Sequence, residues 1–151
     1  MGLLNRIEEL EKELLELKEL VKEEQGFPQL GDEYWYITDG GDVDSFGWEN
    51  SQFDVSAQAI GNVYKTEQEA EFALEKLKVE NELRRLSDSW DLELTQYSFS
   101  FDWECGELKV EYPDYNQYPN SYYFYSADDL QQAIETVGRE RIKKYLFGVE
   151  D

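Results

Sequence analysis

The sequence predicts an α+β fold, with an N-terminal coiled-coil helix followed by two small antiparallel hairpin-plus-helix modules. Three observations predict it. Residues 3–21 carry an unbroken heptad seam of apolar side chains. Beyond Pro28 the chain becomes rich in Tyr, Trp and Phe, with strand-like alternation punctuated by Gly-containing turns. Two amphipathic helix signals with matching caps then follow, at Thr66 and at Ser126. The expected divisions are residues 1–25 for the oligomerisation helix, 26–88 for the first module, and 89–151 for the second module with a C-terminal tail.

In the seam, Leu3, Ile7, Leu10, Leu14, Leu17 and Val21 alternate four and three residues apart, which places them at heptad positions d, a, d, a, d, a. Position a holds Ile7, Leu14 and Val21 while d holds only leucine, a distribution whose knobs fit the holes of two parallel strands. The flanking charges agree. In a parallel pair Arg6 meets the partner's Glu11 and Glu13 meets the partner's Lys18, both opposite in sign. The extra leucines Leu4, Leu15 and Leu20 leave two alternatives open: a trimer or tetramer, or a single amphipathic helix lying on the chain's own core. Gln25-Gly26-Phe27-Pro28 ends the helix, because neither Gly nor Pro continues one.

After the seam, Tyr34-Trp35-Tyr36-Ile37 reads as a strand, Asp39-Gly40-Gly41-Asp42 as a hairpin turn whose glycines supply positive φ, and Val43 to Trp48 as the returning strand. Phe53 to Val63 reads as a third, looser strand. A helix starts at Thr66, whose hydroxyl stands three residues before Glu69, and Ser126 stands in the same way before Asp129. Aligned on these caps, Ala73 matches Ala133, Leu74 matches Ile134 and Glu75 matches Glu135. That is either a duplicated unit or the likeness that any two well-capped amphipathic helices share. In the second module Tyr97, Phe99, Phe101 and Trp103 alternate with Ser98, Ser100 and Asp102, the pattern of a strand with one buried face. Glu104 to Glu107 turns the chain and Leu108, Val110 and Tyr112 return it. A tyrosine-rich loop from Pro113 to Asn120 leads to a strand at Tyr122 to Tyr125. Past Gly138, the apolar stripe of Ile142, Tyr145, Leu146 and Phe147 is expected to close the core. Trp35, Trp48, Trp90 and Trp103 are all assigned to core positions.

Charge separates from this framework. The chain of 151 residues has 35 acids against 14 bases, a net −21 at pH 7. No base lies between Lys22 and Lys65, an interval that holds Asp32, Glu33, Asp39, Asp42, Asp44, Glu49 and Asp54, and only Lys109 lies between Arg85 and Arg139. Hairpins so composed project a negative field that repels nucleic acid and anionic membranes and attracts a basic protein. The candidate partner-binding residues are Asp39, Asp42 and Asp44 on the first hairpin and Asp102, Glu104 and Glu107 on the second. Asp114, Tyr115 and Tyr118 in the loop join them, since Tyr beside acid is a common interface composition. Such an array can stand in for phosphates in a channel built for nucleic acid; alternatively, the charge only keeps an aromatic-rich oligomer soluble.

Several chemistries lack their residues. Histidine is absent, which removes His-based nucleophile systems and His-ligated zinc. The single Cys105 cannot form an intramolecular disulfide, no charged and apolar leader pattern follows Met1, and no apolar run approaches a membrane span, so a reducing host cytoplasm is the expected location. Asp42-Val43-Asp44-Ser45-Phe46-Gly47 starts like a calcium loop, but Phe46 and Phe53 occupy positions that need ligands. Glycine-rich phosphate loops are missing. The expectation is a binding protein with no enzymatic activity, cofactor or metal.

Three stretches carry a resemblance: Gly31-Asp32-Glu33-Tyr34-Trp35-Tyr36-Ile37, the run from Gly61 to Glu71, and the run from Arg141 to Glu150. Together they resemble a group of small acidic phage and prophage proteins of Gram-positive bacteria. The resemblance implies a viral setting, in which small acidic oligomers act as inhibitors of host defence nucleases, anti-CRISPR proteins among them. By analogy the chain is expected to block a basic, nucleic-acid-handling host protein such as a CRISPR nuclease. The alternative is a phage assembly or scaffold adaptor that works through its coil.

Overall fold

The computed structural model describes residues 2–89, 96–111 and 121–150. Helix α1 spans Gly2–Gln25. Gly26, at φ 81°, ends it, and the Gln29 amide caps it by donating to the carbonyls of Gln25 (2.7 Å) and Gly26 (3.1 Å). All of its described side chains are exposed, so the helix does not lie on the chain's own core, and that alternative is set aside. Two compact units follow from the packing, residues 1–71 and 72–151.

In the first unit β1 (Glu33–Ile37) pairs antiparallel with β2 (Val43–Gly47), Tyr34 opposite Phe46 and Tyr36 opposite Asp44. The Thr38 amide donates to the Asp42 carbonyl across the turn at 2.8 Å. Of the two turn glycines only Gly41 takes positive φ, at 81°, so the expectation for Gly40 is corrected. Trp35 forms a reciprocal antiparallel bridge with Tyr64, which makes β1 the middle of this small sheet. The Asn62 side chain extends the pairing, accepting from the Ile37 amide and donating to the Ile37 carbonyl at 2.7 and 2.9 Å. The expected third strand at 53–63 is instead helix α2 (Gln52–Ala59). The reason lies in the cap: Ser51 and Asp54 satisfy each other's backbone amides in a capping box, the hydroxyl-x-x-acid spacing already recognised at Ser126. Tyr34, Tyr36 and Trp48 form the core here, with Phe27 and Val63 packed against them.

Helix α3 (Glu67–Leu86) begins at the predicted cap, where the Glu69 amide donates to the Thr66 hydroxyl at 3.1 Å. The second unit holds β3 (Ser98–Asp102) paired antiparallel with β4 (Glu107–Glu111), then α4 (Ala127–Val137) and α5 (Arg139–Phe147). Val79 and Leu83 of α3 join Leu130, Ala133, Ile134 and Val137 of α4 and Ile142 of α5 in one buried cluster. The α4 residues fall at i, i+3, i+4 and i+7, the stripe that points one helical face inward. As expected, α5 closes the core, with Tyr145, Leu146 and Phe147 packed against it. Arg141 ties α5 to α3 through a two-pronged contact with Glu82 (3.1 and 3.2 Å) and donates to the Val137 carbonyl at 2.8 Å.

Two expectations for this unit are corrected. The strand at Tyr122 to Tyr125 reduces to isolated bridges, Tyr123 with Asp88 and Phe124 with Tyr97. β3 does not have one buried and one open face; all five residues are half-buried. Phe99 and Phe101 pack on Phe147 of α5, while Ser98 and Ser100 wall a cleft of about 590 Å³ that α3 also borders. Both units share a connectivity in which the hairpin's first strand, or the residue just before it, is bridged by a residue two positions ahead of a helix-capping hydroxyl: Tyr64 before Thr66 and Phe124 before Ser126.

Candidate functional site

The two features singled out in the sequence, hairpin carboxylates and the apolar seam, have different fates in the fold. On the first hairpin Asp39, Asp42 and Asp44 are all exposed, and among the described residues none of them pairs with a Lys or Arg. Asp44 accepts locally, from the Ser45 amide at 2.8 Å. Their charge is felt by Tyr36, whose phenol is pushed up first by burial and then by Asp44 and Asp39.

The second hairpin is already engaged. Asp102 accepts the Glu104 amide at 2.9 Å, and that bond, with contributions from Cys105, holds its carboxyl below the ordinary range. It braces the turn. Glu107, its own side chain 57% exposed, lies 3.0 Å from the Lys143 ammonium of α5, whose side chain is only 7% exposed. Lys143 also meets Glu140 at 3.4 Å, and its ammonium is raised above the usual lysine value, by the bond to Glu107 foremost. Glu104 remains exposed. Asp114, Tyr115 and Tyr118 lie outside the described residues, as do Trp90 and Tyr112.

Apart from Lys65 and Lys109, every base stands on α1, α3 or α5, and Lys143 of α5 reaches Glu107 of β4. The seam residues Leu3, Ile7, Leu10, Leu14, Leu17 and Val21 are 47–84% exposed, a continuous apolar stripe on a helix that the chain itself leaves uncovered.

The described tryptophans differ in burial. Trp48 is buried and Trp35 half-buried, but Trp103 is 69% exposed in the β3–β4 turn, against the core assignment. Phe46 and Phe53 are about half exposed beside Tyr36. The sequence carried a signal for Phe46: it shares strand parity with Asp44 on β2, so one face had to accommodate both.

No protein-family model, curated protein or solved structure matches the chain. Among the described residues no group of three acids or cysteines stands close enough to hold a metal ion, and no helix is long and apolar enough to cross a membrane.

The split between free and engaged acids predicts separable variants. Glu107→Gln should lower the melting temperature by a few degrees, because Lys143 keeps only Glu140, and should leave capture of a basic probe unchanged. Asp44→Asn should do the reverse. Thermal melts and titration with a lysine-rich peptide check both.

Proposed function

We propose that this chain is a non-enzymatic binding protein whose copies, joined in parallel through the α1 seam, present carboxylate-bearing hairpins to a basic, nucleic-acid-handling protein. The observation that carries this reading is the base-free first hairpin, where three exposed carboxylates have no internal counter-ion among the described residues. Joining copies doubles the field and the number of contacts offered to one partner. In the phage setting implied by the resemblance, the target is a host defence protein such as a CRISPR nuclease, whose nucleic-acid channel the carboxylates occupy in place of phosphates, within the host cytoplasm. Neither nucleic acid nor membrane is a partner, since both carry the same sign of charge.

The test is capture from bacterial host extract followed by affinity measurement at low and high salt. The captured protein should be basic and nucleic-acid-handling, and its affinity should fall at least about tenfold as the Debye length shrinks from ~10 Å to ~3 Å. Affinity that holds constant across salt is incompatible with charge-driven capture. A second reading, an assembly adaptor working through its coil, is favoured by the uncovered seam. Deleting residues 1–25 separates the two, because the adaptor then loses all binding whereas the mimic retains a weakened form.

A further inference from the structure

The tyrosine-bearing face of the first hairpin narrows what its acids receive. In an antiparallel pair, residues two apart on one strand share a face with those directly opposite. Tyr34, Tyr36, Asp44 and Phe46 therefore lie on one side of β1–β2. Helix α2 adds Phe53 to that side. Phe53 stands edge-on to Tyr36 and Phe46 at 5.3 and 5.4 Å, and Phe46 stacks nearly parallel to Tyr36 at 5.2 Å. Tyr36 is buried within this cluster, while Phe46 and Phe53 remain 47% and 50% exposed.

Two touching, half-exposed phenyl rings form a patch that a small sheet ordinarily covers, and here its rim is carboxylate. Asp44 is the cross-strand neighbour of Tyr36 and the same-face neighbour of Phe46, with Asp39 and Asp42 in the adjoining turn. The occupant that matches both ring and carboxylate is a guanidinium, because it is planar and weakly hydrated, stacks on a π face, and offers a fork of N–H donors to an acid. A lysine ammonium is a strongly hydrated point charge and gains less from the rings. The second hairpin also exposes an aromatic, Trp103 against Phe101 at 4.6 Å, but there Glu107 is held by Lys143.

We propose that Phe46 and Phe53, with Asp44 beside them, form the anchor for an arginine side chain of the basic partner protein. The proposal rests on the binding reading above and adds where the contact centres and which basic residue it takes.

The test uses the full chain with nona-arginine and nona-lysine peptides, followed by calorimetry and by NMR of the phenylalanine rings. At about 0.5 M salt, where long-range attraction is largely screened, the arginine peptide should bind roughly tenfold more tightly than the lysine peptide. F46S/F53S should abolish that preference, and the Phe46 and Phe53 ring signals of the wild type should move on adding the arginine peptide. Retained preference in the double variant overturns the anchor, and so do stationary rings in the wild type, a readout that does not depend on how the variant folds. Peptide binding with stationary rings removes the anchor alone, whereas failure of both peptides to bind at low salt removes the binding reading as well.

Discussion

Leu14→Asp combined with Leu17→Asp should convert the protein to a 17.9 kDa monomer in sedimentation experiments, where the wild type sediments as a multiple of that mass. The two leucines occupy adjacent a and d positions at the centre of the seam and are 53% and 58% exposed in the single chain. In a parallel pair each leucine side chain moved from water into the seam contributes about 1.5–3 kcal/mol, and the double substitution removes four of them. Self-association should weaken on the order of ten-thousandfold or more. A second readout distinguishes loss of pairing from global unfolding. None of the described side chains of the 24-residue α1 is buried on its own chain, and an unpacked helix of that length is marginal in water, so the variant should lose α1's share of the far-ultraviolet helical signal. The near-ultraviolet signal of Tyr34, Tyr36 and Trp48 should persist, because their core does not include the seam. A wild type that sediments as a monomer refutes the paired arrangement.

Asp54→Asn should lower the melting temperature by roughly 10 °C, the largest effect expected from a single polar substitution here. Asp54 is buried at the start of α2, and its carboxylate accepts from the Tyr34 hydroxyl (2.6 Å), the Glu49 amide (2.9 Å) and the Ser51 amide (3.1 Å). An asparagine oxygen replaces one acceptor and puts an N–H₂ where another is needed, leaving buried donors unmatched. The Tyr34 hydroxyl, ahead of the Glu49 amide, lowers the Asp54 carboxyl to about 2, while in the unfolded chain it titrates near ~3.9. A depressed folded-state value contributes stability that is complete above the unfolded value and is lost as pH falls through the folded one. The stability gap between wild type and Asp54→Asn should therefore be constant above about pH 5 and shrink between about pH 4 and 2. Tyr34 works in the opposite direction. Burial first, and the Asp54 bond second, raise its phenol above the ordinary value, so its contribution is present below about pH 10 and is lost as pH climbs beyond it. A gap that stays constant down to pH 2 removes the carboxylate from the account. Urea melts at stepped pH give the measurement.

The contrast between the two hairpins has a direct physical cause. Both are acidic in sequence, but α5 brings Lys143 to Glu107, whereas among the described residues no base pairs with Asp39, Asp42 or Asp44. Net charge alone does not rank the two surfaces. What separates them is which carboxylates have a basic neighbour.

Much of the architecture was legible because it rests on local chemistry. The helical spacing of α1, the Asp39 to Asp42 turn, the period-two alternation through β1, and the hydroxyl caps at Thr66 and Ser126 each act within a few residues, and each stands in the fold as expected, whereas the alternation expected for β3 does not. The miss at 53–63 was also local. Ser51-Gln52-Phe53-Asp54 carries the same hydroxyl-x-x-acid capping code as Thr66 and Ser126, and that cap starts a helix despite the aromatic and β-branched residues Phe53 and Val55. The exposed position of Trp103 was not legible, since strand parity places it on the inward face and only the turn at residues 103–106 takes it out.

By itself the sequence determined most of the elements and their order, the apolar seam and the placement of bases on helices, because periodicity, capping and residue type act over one or two turns of chain. Only the tertiary structure decided which acids stay free, that Asp54 is a buried acceptor rather than a surface charge, and that Phe46 and Phe53 meet over Tyr36. Those outcomes depend on residues far apart in the chain, such as Tyr34 with Asp54 and Glu107 with Lys143, being brought within bonding distance by packing.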